Sequence, residues 1–312
     1  GDLFPWSTGA DCPEGYDYCG VLEFCMGEDS LDTGPTYGYR LPCLEETCEC
    51  KAVPGPLIRL VPGNKYKMTL RNAGTEVTNL HTHGLHIVGD GDGDDVIREV
   101  MGGGNCLDYT WDLKEDHPGG TNWYHAHHHG ISEKQVGGGA YGMLIVEDNT
   151  NLDPVLPSWA GNERLLQVAV AVFTDEMFAN GRKTDVVDIA ANQWYRLRVS
   201  LVNANAVPHN FTFGDEGLCE IHKVAQDGVW RSVVPGPQSS VWELTGASRA
   251  DFAIRCNTPE SLIPVFYRDD ETIAQIWVGA EESNPFAMEE FMPNRPYSLS
   301  DMLSETVPEG NR

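Results

Sequence analysis

At 312 residues the chain is long enough for about two domains of ordinary size. Its 47 acidic residues against 21 basic ones give a formal net charge of −26. That excludes the basic surface nucleic-acid binding needs, and an anionic membrane surface would repel it. Glycine (33) and proline (19) are plentiful and apolar runs are short, so short strands with many turns are expected. None of those runs approaches the ~20 apolar residues needed to cross a bilayer.

Residues 1–51 hold six of the nine cysteines (Cys12, Cys19, Cys25, Cys43, Cys48, Cys50), with Tyr16, Tyr18, Tyr37 and Tyr39 between them. Such density reads as an irregular, disulfide-stapled extension formed in an oxidising compartment. A metal-binding cysteine cluster is the alternative, but Cys48 and Cys50 lack the usual two-residue gap and no zinc-like histidine spacing follows. An odd count leaves one cysteine free or paired outside the chain. The start at Gly1 rather than Met suits a processed, secreted protein, and Asn210-Phe211-Thr212 is a glycosylation sequon.

After Pro54-Gly55-Pro56 the pattern changes. Leu57–Val61, a Pro62-Gly63-Asn64 turn and the alternating Tyr66–Arg71 read as a hairpin of half-buried strands. Further strands are expected at Val77–Ile87, Tyr109–Leu113, Asn122–His127 and Gly142–Glu147, completing a β-sandwich of about 100 residues. Residues 149–161 read as a linker. A second set of strands is expected at Leu165–Val172, Trp194–Asn203, His209–Phe213, Glu220–Ala225, Ser240–Leu244, Asp251–Arg255 and Ala274–Val278. Beyond about residue 280 the chain is acidic and rich in Met and Pro, as a tail or a further linker would be. The tryptophans at 111, 123, 194, 230, 242 and 277 sit in strand patterns and are expected in the core.

Seven of the ten histidines fall in two stretches, Thr78–His86 and Thr121–Gly130. Each holds a His-x-His core. On a strand, residues two apart share a face, so His81 pairs with His83 and His125 with His127. Two such pairs side by side place four imidazoles around one small volume, a donor set suited to copper, zinc, iron or nickel. His86, His117, His128 and His129 read as supporting or surface residues, and the isolated His209 and His222 as structural. Asp90-Gly91-Asp92-Gly93-Asp94-Asp95 has calcium-loop character. It lacks the glycine and the glutamate an EF-hand needs where Asp95 and Met101 stand, so a solvated acidic turn is the simpler expectation.

In order along the chain, Pro54–Arg59, Pro62-Gly63, Asn79-Leu80-His81-Thr82-His83-Gly84, His117–His127 and Gln135–Asp148 resemble the first domain of the multicopper oxidases, the family of laccases, ferroxidases and bilirubin oxidases. Less specifically, Trp194–Arg198, Asn203-Ala204, Ala225–Gly228 and Arg249–Phe252 are similar to the family's middle domain. The resemblance implies an all-β chain of two cupredoxin-like Greek-key sandwiches with a disulfide-rich N-terminal extension. Its boundaries are an extension at 1–51, a first domain with the His-x-His motifs at 52–148, a linker at 149–161, a second domain without copper at 162–280, and a tail or linker at 281–312.

By the same resemblance, His81 corresponds to a ligand of the type 2 copper, and His83, His125 and His127 to ligands of the type 3 pair. The implied chemistry couples one-electron oxidation of a reducing substrate to reduction of dioxygen to water. The family's His-Pro-x-His-x-His and His-Cys-His motifs do not occur in this sequence. The chain therefore offers half of a trinuclear site and no type 1 copper. It is not expected to turn over alone; a third cupredoxin domain or a partner chain would complete it. The alternative is a non-catalytic extracellular protein that uses the fold for copper binding or assembly.

Overall fold

A computed structural model describes residues 2–27, 36–42, 50, 53–149, 158–171, 176–203, 208–214, 217–231, 236–237, 241–267 and 271–281. Most of the proposed linker, and the proposed tail beyond Glu281, lie outside these residues.

The first unit contains β1 (Ser7–Thr8), β2 (Tyr18–Met26), β3 (Tyr37–Arg40), β4 (Gly55–Leu60), β5 (Lys65–Asn72), β6 (His81–His83), β7 (Asn105–Asp112), β8 (Gly120–His125) and β9 (Tyr141–Val146). One sheet runs β1-β2-β5-β7, with β3 also on β2; the facing sheet runs β4-β9-β8-β6. A six-residue helix, α1 (Ser132–Gly137), precedes β9.

Two expectations are corrected here. The N-terminal segment is not an irregular extension. β2 pairs in parallel with β5 from Tyr18↔Tyr66 to Phe24↔Asn72, and Leu22, Phe24, Tyr37 and Tyr39 are fully buried in the first core. Disulfides Cys12–Cys19 and Cys25–Cys50 staple this segment. Nor do residues 57–61 and 66–71 form a hairpin, since β4 and β5 belong to opposite sheets. Ile58 and Leu60 meet Tyr66, Met68 and Leu70 across the core, so the turn between them crosses the sandwich instead of folding back within one sheet.

The second unit contains β10 (Glu163–Val170), β11 (Met177–Ala179), β12 (Asp185–Ala191), β13 (Tyr195–Val202), β14 (His209–Phe213), β15 (Cys219–Gln226), β16 (Val229–Trp230), β17 (Val241–Leu244), β18 (Arg249–Cys256), β19 (Ser261–Tyr267) and β20 (Glu271–Glu281). Its sheets run β11-β10-β13-β18-β15-β16 and β12-β20-β19-β14-β17, so the molecule is two all-β sandwiches. Cys219–Cys256 bridges β15 and β18, and Cys106 is a free, exposed thiol. Trp159, from the proposed linker, is buried with Trp194 and Trp230; Trp277, expected in the core, is 39% exposed.

A buried charge cluster joins the sandwiches. Asp251 on β18 accepts from Thr121 Oγ1 on β8 (2.5 Å) and from Arg196 Nε on β13 (2.8 Å). Arg196 also reaches Asp148 (2.5 Å), and Arg198 reaches Glu163 (2.7 Å) and Thr121 Oγ1 (3.1 Å). These contacts fix β8, the strand that carries His125.

Candidate metal centre

β6 and β8 pair antiparallel, with His81 opposite His125 and His83 opposite Trp123. That register explains why two His-x-His stretches become one cluster. Ring centroids lie 5.6 Å apart for His81–His83, 5.1 Å for His81–His125, 5.8 Å for His83–His125 and 5.0 Å for His81–His127. One nitrogen from each of His81, His83 and His125 falls within 4.8 Å of the others. His127 stands just beyond the strand end, 5.5 Å from the His125 ring, and is exposed. The cluster is therefore sealed on one side and open on the other.

Neighbouring groups fix the rings. The His125 Nδ1 lies 2.9 Å from the Ala126 carbonyl, which can only accept, so Nδ1 carries the proton and Nε2 presents a lone pair. That Nε2 is buried and has no partner in the protein. Trp123 stacks on His125 at 4.1 Å and on His83 at 5.2 Å, holding both imidazole planes against one indole. Asn79 Oδ1 accepts the His127 backbone N–H (2.7 Å) while its Nδ2 donates to the Val96 carbonyl (2.8 Å).

Burial pushes the His83 imidazole down to about 4, assisted by the Arg249 guanidinium from the second sandwich. His125 is held well below the usual imidazole range, again chiefly by burial. Both rings are therefore neutral near pH 7, the form that binds metal. Gly84 closes the first motif at φ +111°, and a side chain there would run into Asn122 Oδ1 and Arg249 Nη2. Glycine is needed because the chain turns left-handed where both sandwiches approach it.

The acidic loop has a role that its composition concealed. Asp94 Oδ2 lies 2.9 Å from His81 Nδ1, and its Oδ1 accepts the Thr82 backbone N–H (3.1 Å). Asp92 accepts from Thr110 Oγ1 (2.8 Å) and Asp95 from the Ile97 backbone N–H (3.0 Å). The three carboxylates turn to three different partners, unlike a cation cage, and Asp94 is no solvated side chain. An acidic residue some ten positions after a His-x-His was the available signal.

The remaining histidines lie outside the cluster. His117 Nδ1 faces the Pro118 carbonyl (2.8 Å) and its Nε2 accepts the His86 backbone N–H (2.9 Å). His128 pairs with Glu99 (2.9 Å).

Fold and site together define a cupredoxin-like protein with a multi-histidine centre on its first sandwich. Residues 50–151 match the family model described as multicopper oxidase. The curated multicopper oxidase mco of Staphylococcus aureus is 36% identical over 95 residues, 30% of this chain and 20% of that protein. Copper resistance protein A of Escherichia coli is 31% identical over 97 residues, 30% of this chain and 15% of that protein. Among solved structures, a multi-copper oxidase from Pseudomonas thermotolerans superposes with a TM-score of 0.70 at 20% identity, covering 90% of this chain and 67% of that one. A laccase from Pediococcus acidilactici gives 0.69 at 21% identity, covering 92% and 64%. The multicopper oxidase sequence signature thus lies on the first sandwich, and the likeness to solved multicopper oxidases extends the same fold over the second. The chain's sequence matches span about a fifth of the curated relatives' length, and its fold about two thirds of the solved ones.

Proposed function

We propose that this chain is the copper-holding portion of a secreted multicopper oxidase. His81 serves the type 2 position, and His83, His125 and His127 serve the type 3 pair. The observation that carries this reading is the His81–His83–His125 trio within 4.8 Å, with the His125 Nε2 buried and unpartnered. A buried imidazole nitrogen without a partner costs free energy that a metal ligand bond would recover. Copper, when bound, supplies the one-electron steps that couple oxidation of a reducing substrate to reduction of dioxygen.

The chain's own residues prepare that site. The Ala126 carbonyl sets the His125 tautomer, Trp123 holds the His83 and His125 rings and screens the inner side from water, Asp94 places a carboxylate beside His81 Nδ1, and burial keeps His83 and His125 neutral. The exposed His127 leaves the outer side accessible, where the rest of the ligands arrive from a third cupredoxin domain or a partner chain. A non-catalytic extracellular copper-binding or assembly role is the second reading.

Metal analysis of the copper-treated chain, paired with its intact mass, tests the proposal. About two coppers per chain are expected, falling sharply in His83→Ala and His127→Ala with the fold preserved. A chain of the expected mass that takes up no copper would reduce the four histidines to a remnant and leave the assembly reading.

A further inference from the structure

A cleft of about 330 Å³ lies between the two sandwiches, and none of the clustered histidines lines it. Leu57 and Met143 of the first unit form apolar walls, and Gln167, Asn180, Arg182 and Asp185 of the second line the rest. Gln167 is only 2% exposed, yet neither its Nε2 nor its Oε1 has a partner in the protein. The other polar groups are already committed. Asp185 takes Asn180 Nδ2 on one oxygen (2.8 Å) and Arg182 Nη1 on the other (3.1 Å), while Asn180 Oδ1 accepts the Gln167 backbone N–H (2.8 Å).

We propose that this cleft is a binding site for a small neutral molecule carrying an amide or lactam edge on an apolar body. A buried carboxamide with both ends unpaired is costly, and this one calls for a partner that the protein does not supply. Both amide atoms are closed to solvent in the free chain, so binding turns the carboxamide toward the cleft; its complement is a planar group with an N–H and a C=O side by side, which then returns one hydrogen bond in each direction. The Arg182–Asp185 pair neutralises itself, so the site asks for no ligand charge, and a chain of net charge −26 gives an anion no welcome. The volume lies at the lower end of the roughly 300–1,000 Å³ typical of small-molecule sites.

The test is titration of the full ¹⁵N-labelled chain with 2-pyridone, a ring lactam, following the Gln167 side-chain amide signals. Saturable shifts with a roughly millimolar Kd are expected for so small a probe. N-methyl-2-pyridone, which lacks the N–H, should bind about tenfold more weakly or worse. Gln167→Met, apolar and nearly isosteric, should lose binding to the same extent while raising the Tm by a few degrees, because it removes an unpaired buried amide. Leu57→Trp, filling the cleft from the opposite wall, should abolish binding with Gln167 in place. Copper content should be unchanged in both variants, so this site stands or falls apart from the histidine centre. The proposal is overturned if 2-pyridone does not bind, if Gln167→Met or the N-methyl probe binds as well as the parent pair, or if Gln167→Met lowers the Tm.

Discussion

The two sandwiches treat their histidines in opposite ways. In the second, His209 is held between Asn203 (2.5 Å) and Tyr267 (2.9 Å), and His222 is paired with Glu220 (2.9 Å). In the first, four imidazoles crowd within about one ring's breadth of each other, and the most buried of them leaves Nε2 facing its neighbours without a partner. Both arrangements use histidines on strands, and each has buried rings: His125 in the first, His209 and His222 in the second. What separates a structural histidine from a ligand is where each nitrogen finds its partner. A ring satisfied by its own sandwich has nothing left to offer a metal. Rings that face one another repel when protonated, and a neutral ring whose N–H is already committed elsewhere, as that of His125 is to Ala126, turns only a lone pair toward its neighbours and needs a third party between them.

The largest effect should come from the junction that holds the two regions together. Arg196 and Arg198 are buried to within 1% of full burial, and of the two carboxylates they share, Asp251 is the fully buried one and Asp148 the more exposed. Asp251→Ala leaves two guanidiniums with reduced compensation, and loss of one partner from a buried ionic cluster costs about 3–5 kcal/mol. Chemical denaturation should show this as a lower midpoint for both sandwiches, because Thr121 loses its acceptor at the same time. Next is Asp94→Asn. It keeps the Thr82 contact but removes the charge beside His81 Nδ1, and copper affinity should fall about 10–100-fold, as measured by competition with a chelator. Folding stability should change little. His209→Phe sharpens the comparison from the other side. It breaks the Asn203 and Tyr267 contacts and should cost about 1–2 kcal/mol, while copper stoichiometry stays at the parent value.

The histidine cluster was legible because a period of two is a strand's own period, and register brought the two motifs together. The sandwich class was legible for the same reason. The N-terminal strands were hidden because Glu23 interrupts the apolar run of β2. Its carboxylate is buried between Arg40 (2.6 Å) and Arg71 (2.9 Å), a pairing no local pattern reveals. β19 was missed because Pro264 sits in its interior, opposite Gln275. β12 did alternate, with Val187, Ile189 and Ala191 inward, but two aspartates in seven residues made it look like loop. Asp94 reads with its neighbours as solvent-facing, since composition describes a loop's polarity and not the direction of one carboxylate. Gln167 was submerged in an otherwise apolar strand; only the packing of two sandwiches shows that its amide is stranded.

The smallest expected effect is in the acid stability of the copper-free chain. His83 is pushed down to about 4 by burial, and His117 and His125 are lowered for the same reason. Between the ordinary imidazole value of 6.5 and about 4, the unfolded chain binds protons that the folded one refuses. Stability must then rise with pH across that window and fall on acidification through it. The slope should be on the order of 1 kcal/mol per pH unit, since each histidine contributes at most about 1.4 and His83 is partly solvated. Denaturant midpoints taken from pH 7 to pH 4 measure it. Paired carboxylates such as Asp251 and Glu220, whose pKa values are lowered by their arginine and histidine neighbours, contribute only at more acid pH. Replacing His125 with Asn should flatten the slope between pH 6.5 and 4, because one proton-refusing ring is removed. An unchanged slope in that variant would mean that the first sandwich's buried imidazoles do not govern acid unfolding, and the contrast between the two sets of histidines would then rest on copper binding alone.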